Sequence, residues 1–152
     1  MESAPVTRIE VCRFVVPGPP VAKARPRVSL RGGVARTYTP RRTTRYEAEV
    51  AVAAIDAMDG RQPLDEPLAV EITARFPVPE SWSRSRRERA LSGETHYVSR
   101  PDIDNVAKAI LDGANGIVWA DDAWIVQLTT LKAYARAPEV EVRVWRITDT
   151  RH

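Results

Sequence analysis

Leu68-Ala69-Val70-Glu71-Ile72-Thr73-Ala74-Arg75-Phe76 alternates apolar with more polar positions, a period of two. That period puts one set of side chains on a single face of an extended chain, so the stretch reads as a half-buried strand. Pro77 and Pro79 stop it. Upstream, Val50, Ala51, Ala54, Ile55 and Met58 recur at helical spacing, and Gly60 marks the helix end. Thr44 and Glu47 fit a capping box, so this helix is expected from Thr44 to about Met58.

Further out, residues 9–16 read as a strand, stopped by Pro17-Gly18-Pro19-Pro20. Residues 17–40 form a Pro- and Arg-rich loop, with Gly32-Gly33 as a turn and a short strand around Val34–Tyr38 that completes a hairpin. On the C-terminal side, residues 77–101 are irregular, with one short helix capped by Ser85 and Glu88 and ending near Gly93. A second main helix begins at Asp102–Asp104 and runs to about Asn115. Trp124–Tyr134 and Val140–Ile147 read as strands joined at Ala137-Pro138, the last with Val140, Val142 and Val144 on one face. The order β-(β)-α-β-α-β-β predicts an α+β fold: one small domain over 1–152, a mixed sheet and two main helices.

The 152 residues suffice for a single domain with an ordinary core, and 43% of them are apolar, which excludes a disordered chain. Cys12 is the sole cysteine, so no internal disulfide forms, and a cytoplasmic, reducing compartment is expected. No secretory leader and no membrane span are expected, because no apolar run reaches the roughly 18 residues required. The net charge of +3 hides an uneven distribution. Arginines and Lys23 crowd the first third, Arg84, Arg86, Arg87 and Arg89 form a second cluster, and acids gather between Asp102 and Asp122. Basic patches beside an acidic cluster suit a protein that holds both polyphosphate and a cation; a solvated basic surface has the same composition.

The chemistry-bearing stretch is Pro101-Asp102-Ile103-Asp104-Asn105-Val106-Ala107-Lys108. Asp102 and Asp104 project to one side if the backbone is extended, and two such carboxylates repel unless a cation or proton lies between them. Mg²⁺ takes oxygen ligands, often only one or two carboxylates, and keeps several waters, which leaves room for substrate phosphate. Lys108 lies one helical turn beyond Asp104, in reach of charge developing on a phosphodiester. Asp121 and Asp122 add a second acidic pair, able to close the ligand set if the strand at 124–134 packs beside the helix. Each residue also has a plain use: Asp102 or Asp104 as a helix cap, Asp121-Asp122 as a turn, Lys108 as an ion-pair partner of Asp104 or Asp112. It is their conjunction that points to metal-assisted phosphodiester hydrolysis.

Asp102-Ile103-Asp104-Asn105-Val106-Ala107-Lys108-Ala109-Ile110-Leu111-Asp112 followed by Asn115-Gly116-Ile117-Val118-Trp119-Ala120-Asp121-Asp122 resembles the RusA family of Holliday-junction resolvases. Pro17-Gly18-Pro19-Pro20, Lys23-Ala24-Arg25-Pro26-Arg27, Tyr38-Thr39-Pro40 and Ser81-Trp82-Ser83 are similar to its phage- and prophage-type members. The resemblance covers nearly the whole chain. It implies a homodimeric endodeoxyribonuclease that uses Mg²⁺, with Mn²⁺ as a substitute and no organic cofactor, and that nicks a four-way junction in pairs during recombination and repair. It further implies that Asp102, Asp104 and Asp122 are the essential carboxylates, Lys108 the essential lysine, and Asp121 a neighbouring acid. Gly113-Ala114 departs from the family pattern, which has an alanine and a leucine there, and implies an earlier helix end or altered dimer packing.

Lys23, Arg25 and Arg27, and also Arg84, Arg86 and Arg87, are placed to follow DNA backbones. Trp82 suits either a loop anchor or a wedge at a branch point. The rival functions are a non-catalytic branched-DNA-binding protein, and a metal nuclease acting on flaps or RNA. Magnesium dependence separates the first rival from a resolvase, and substrate competition separates the second.

Overall fold

The computed structural model describes residues 6–24, 27–38 and 40–149. The order is β1 (Val6–Pro17), β2 (Arg27–Arg31), β3 (Val34–Tyr38), α1 (Arg41–Met58), β4 (Leu68–Pro77), α2 (Arg84–Leu91), α3 (Ile103–Ala114), β5 (Ile125–Ala135) and β6 (Glu139–Asp149). The main sheet runs β1-β6-β4-β5, and β2 and β3 form a separate antiparallel ribbon. Among the described strands only β4 and β5 pair in parallel, so the sheet is mixed and the fold is α+β, as expected. A parallel pair needs a long crossover, and α2 and α3 fill it.

Alternation decides the faces. Leu68, Val70, Ile72, Ala74 and Phe76 of β4 are buried, as are Val140, Val142 and Val144 of β6. They pack with Val50 and Ala54 of α1 and with Val106, Ile110 and Ala114 of α3 in one core. Each fully buried Val, Leu or Ile contributes about 1.5–3 kcal/mol relative to exposure. The other sheet face carries charge instead. Arg75 bonds Glu139 and Glu141 at 3.1 and 2.9 Å, and Arg13 also pairs with Glu141. Trp145 lies on this face near the guanidiniums of Arg8 and Arg143, at 4.8 and 4.7 Å from its ring.

Four local expectations change. The first main helix starts at Arg41, not Thr44; its cap position is Pro40, and the Thr44 hydroxyl donates back to the Pro40 carbonyl from within the first turn. The short helix is capped by Ser83, which accepts from the Arg86 N–H, rather than by Ser85. β2 lies inside the segment read as loop. The glycine at 113 does not end α3: a Cβ there would sit 2.8 Å from Val50 Cβ and Cγ1, so glycine lets α1 and α3 approach closely. No helix among the described residues is long and apolar enough to cross a membrane.

Candidate active site

α3 presents the candidate acids at its start. Asp102 occupies the cap position in extended conformation, but its carboxylate makes no capping hydrogen bond. Asp104 stands in the first turn, so the pair is not one extended strand; the helix begins between them. Both are exposed, and neither has an ion-pair partner among the described residues. A carboxylate at a helix N-terminus is stabilised by the helix dipole. Lys108 follows one turn later, also exposed, and pairs with neither Asp104 nor Asp112. Two exposed acids and an exposed ammonium near one helix start, unpaired among the described residues, are suited to a charged ligand rather than to internal bracing.

The approach to this cluster is held from β5. Lys132 Nζ donates to the carbonyls of Ser99 and Pro101 at 3.0 and 2.9 Å, and stands 5.4 Å from the centre of the Tyr97 ring. Tyr97 stacks on Phe76 at 3.9 Å and donates its hydroxyl to the Arg100 carbonyl. These contacts fix the backbone directly before Asp102. Lys132 was not among the expected residues, because one lysine in an alternating strand carries no motif.

The second acidic pair lies at the other end of α3. Asp121 Oδ1 accepts from the Ala123 N–H and caps a short 3-10 turn, Asp122–Trp124. Asp122 Oδ1 accepts from the indole N–H of the fully buried Trp119 at 2.8 Å. β5 does pack beside α3, but it runs in the opposite direction: Lys132 near its end meets Pro101, while Ile125 at its start follows Asp122. A helix of 12 residues is roughly 18 Å long at about 1.5 Å per residue. One chain therefore sets Asp102, Asp104 and Lys108 along the first two turns of α3 and leaves Asp121 and Asp122 beyond its other end. Among the described residues, no three acidic, His or Cys side chains gather closely enough to hold a metal.

The basic residues divide by use. Lys23, expected to follow the DNA backbone, is largely enclosed, bonded to Glu47 at 2.5 Å and to Asp112 at 3.2 Å, and bridges α1 and α3. The Glu47 carboxylate foremost, with Asp112, raises its pKa. Arg25 lies outside the described residues, and Arg27 is described in its backbone alone, at the start of β2. On α2, Arg84 and Arg87 are exposed, and Arg86 lies 3.6 Å over the Trp82 ring. Trp82 packs edge-on to Tyr134, as a loop anchor does. Arg84, Arg87 and Arg136 line a shallow cleft beside it, and Arg136 was not expected.

An α+β domain with exposed acids and a lysine at one helix start, beside an arginine-rich short helix, is compatible with a nuclease, and comparison with known proteins supplies the class. The family model described as endodeoxyribonuclease RusA matches residues 17–145, and the chain belongs to that family of Holliday-junction-resolving nucleases. It is also 30% identical over 142 residues to the uncharacterized protein YqaN of Bacillus subtilis (strain 168), covering 92% of this chain and 99% of that one.

Proposed function

We propose that this protein resolves four-way DNA junctions by paired nicks, with Mg²⁺ as cofactor and two chains related by a two-fold axis, in the cytoplasm. The observation that carries the reading is the set of Asp102, Asp104 and Lys108 at the start of α3, exposed and without side-chain partners among the described residues. Family membership supplies the reaction class.

The donor chemistry suits Mg²⁺, which is commonly held by one or two carboxylates with waters completing its shell. Asp102 and Asp104 would provide those oxygens, with Mn²⁺ as a substitute, and when bound the ion would neutralise phosphate charge and make a water more acidic. Lys108 stabilises charge on the phosphate oxygens, and an aspartate accepts the proton of the attacking water. Asp122, beyond the other end of α3, would join the acids of a second copy. A two-fold pair would bring Asp122 of the partner subunit to the Asp102–Asp104 end, and the reverse, giving two equal sites for two nicks. Asp122, oriented by Trp119, ranks above Asp121, whose oxygen is used in the turn. Arg84, Arg86 and Arg87 would follow the DNA backbone, giving affinity that falls with salt.

The test is cleavage of a synthetic four-way junction with Mg²⁺, in competition with flap, RNA and linear duplex. Wild type should nick opposed strands symmetrically, and Asp104→Asn should bind the junction without cutting it. Mixing Asp104→Asn chains with Asp122→Asn chains should restore one functional site per mixed dimer. Binding without cutting under any divalent metal rejects the nuclease reading, and failure of the mixture to recover rejects the shared site.

A further inference from the structure

The cleft in front of Asp102 has features that the cutting reaction alone does not require. Its volume is about 680 Å³, inside the roughly 300–1,000 Å³ of small-ligand sites. One wall is apolar, with Pro20, Val21 and Pro40 on it and the edges of Phe76 and Tyr97 behind them. Tyr97 is fixed there by its parallel stack on Phe76 and by its hydroxyl bond to Arg100, so the wall is formed before any ligand arrives. The rim is cationic: Arg42 comes from the first turn of α1, where the helix dipole is positive, and Arg100 from the loop leading to α3. The amide of Asn105 and the carboxylate of Asp102 complete the edge nearest the candidate chemistry.

We propose that this cleft is a nucleotide subsite, taking one unpaired nucleotide of the strand being cut, with its base on the apolar wall and its phosphate toward Arg42 and Arg100. The proposal rests on the junction-nuclease reading above and adds a source of selectivity to it. An apolar wall and a cationic rim match the two halves of a nucleotide. A base inside a duplex reaches the cleft only after unpairing and unstacking, which costs a few kcal/mol and costs least where pairing is already broken. A branch point offers such a base, whereas linear duplex does not.

The test substitutes single abasic nucleotides, one at a time, through the positions flanking the cut. Affinity is read with Asp104→Asn protein and cleavage with wild type. One position should lose about tenfold in affinity, in the range expected for a lost base contact. Ala22→Phe, which fills the cleft from its lining loop, should cut and bind intact and abasic junctions equally. Arg100→Gln should weaken both substrates alike and keep the abasic difference. Melting curves check that both variants fold. A flat abasic scan in protein that still cuts junctions overturns the subsite and leaves the nuclease reading intact. An abasic penalty unchanged in Ala22→Phe also overturns it. If wild type cuts no junction, the nuclease reading fails, and the affinity scan alone then decides the subsite: a flat scan rejects it, and a single sensitive position supports it.

Discussion

The indole N–H of Trp119, which has no solvent exposure, donates to Oδ1 of Asp122, which faces solvent. A core side chain thus holds a surface carboxylate in one orientation. Trp119→Phe should retain the fold with reduced stability and lower junction cleavage about tenfold, as loss of an outer-shell partner typically does. Junction affinity should change little. Steady-state cleavage and gel-shift titration on the same preparation check this; an unchanged rate would show that the bond is only structural.

Lys132 spans β5 and the loop before α3, bonded to two backbone carbonyls and, among the described residues, to no acid. Lys132→Met should free the Asp102 backbone and cost roughly 10–100-fold in rate, since small misplacements of reacting groups are that costly. The magnesium concentration for half-maximal rate should rise. Lys132→Arg should recover part of the loss, because its guanidinium offers donors to the same carbonyls. A purely structural lysine would lower the melting temperature without moving the magnesium dependence.

Gly113→Ala sets helix propensity against packing. Alanine gains about 1 kcal/mol over glycine in a helix, while forcing a methyl against Val50 costs about 1–3 kcal/mol. The expected result is net destabilisation of about 1 kcal/mol, read as a fall of roughly 2–4 °C in Tm. In a Val50→Ala background the same substitution should no longer destabilise.

The carboxyl of Glu141 is held below the usual glutamate range by Arg75 first and by Arg13, against the opposing effect of burial. Its stabilising contribution is therefore full above the ordinary value of 4.5 and is lost as pH falls through the lower folded value. Glu141→Gln should destabilise the protein at pH 7 by about 1–3 kcal/mol. The difference from wild type should shrink steadily below the ordinary range. Urea unfolding at several pH values measures it.

Much of this was legible along the chain. The alternation of β4 and β6 fixed their buried faces, and the acids at the start of α3 stood where a helix start was expected. Thr44 misled because Thr-x-x-Glu reads alike at a cap and inside a first turn, and a proline can hold the cap position. The hairpin at Gly32-Gly33 was expected but the bounds of β2 were not, because the β2–β3 ribbon pairs away from the main sheet and leaves Val28 and Leu30 exposed, so burial imposes no pattern. The enclosure of Lys23 depends on Glu47 and Asp112, which come from two different helices. Likewise, the distance from Asp102 to Asp122 follows from the relative directions of α3 and β5, and no local spacing records direction.

That opposed direction has a consequence for how the protein would behave when scarce. If one chain carries two halves of two different sites, then a lone chain is chemically idle, and cutting requires an encounter between copies. Activity would then rise more steeply than protein level, and newly made chains would pass through a harmless stage before they could damage intact chromosomes.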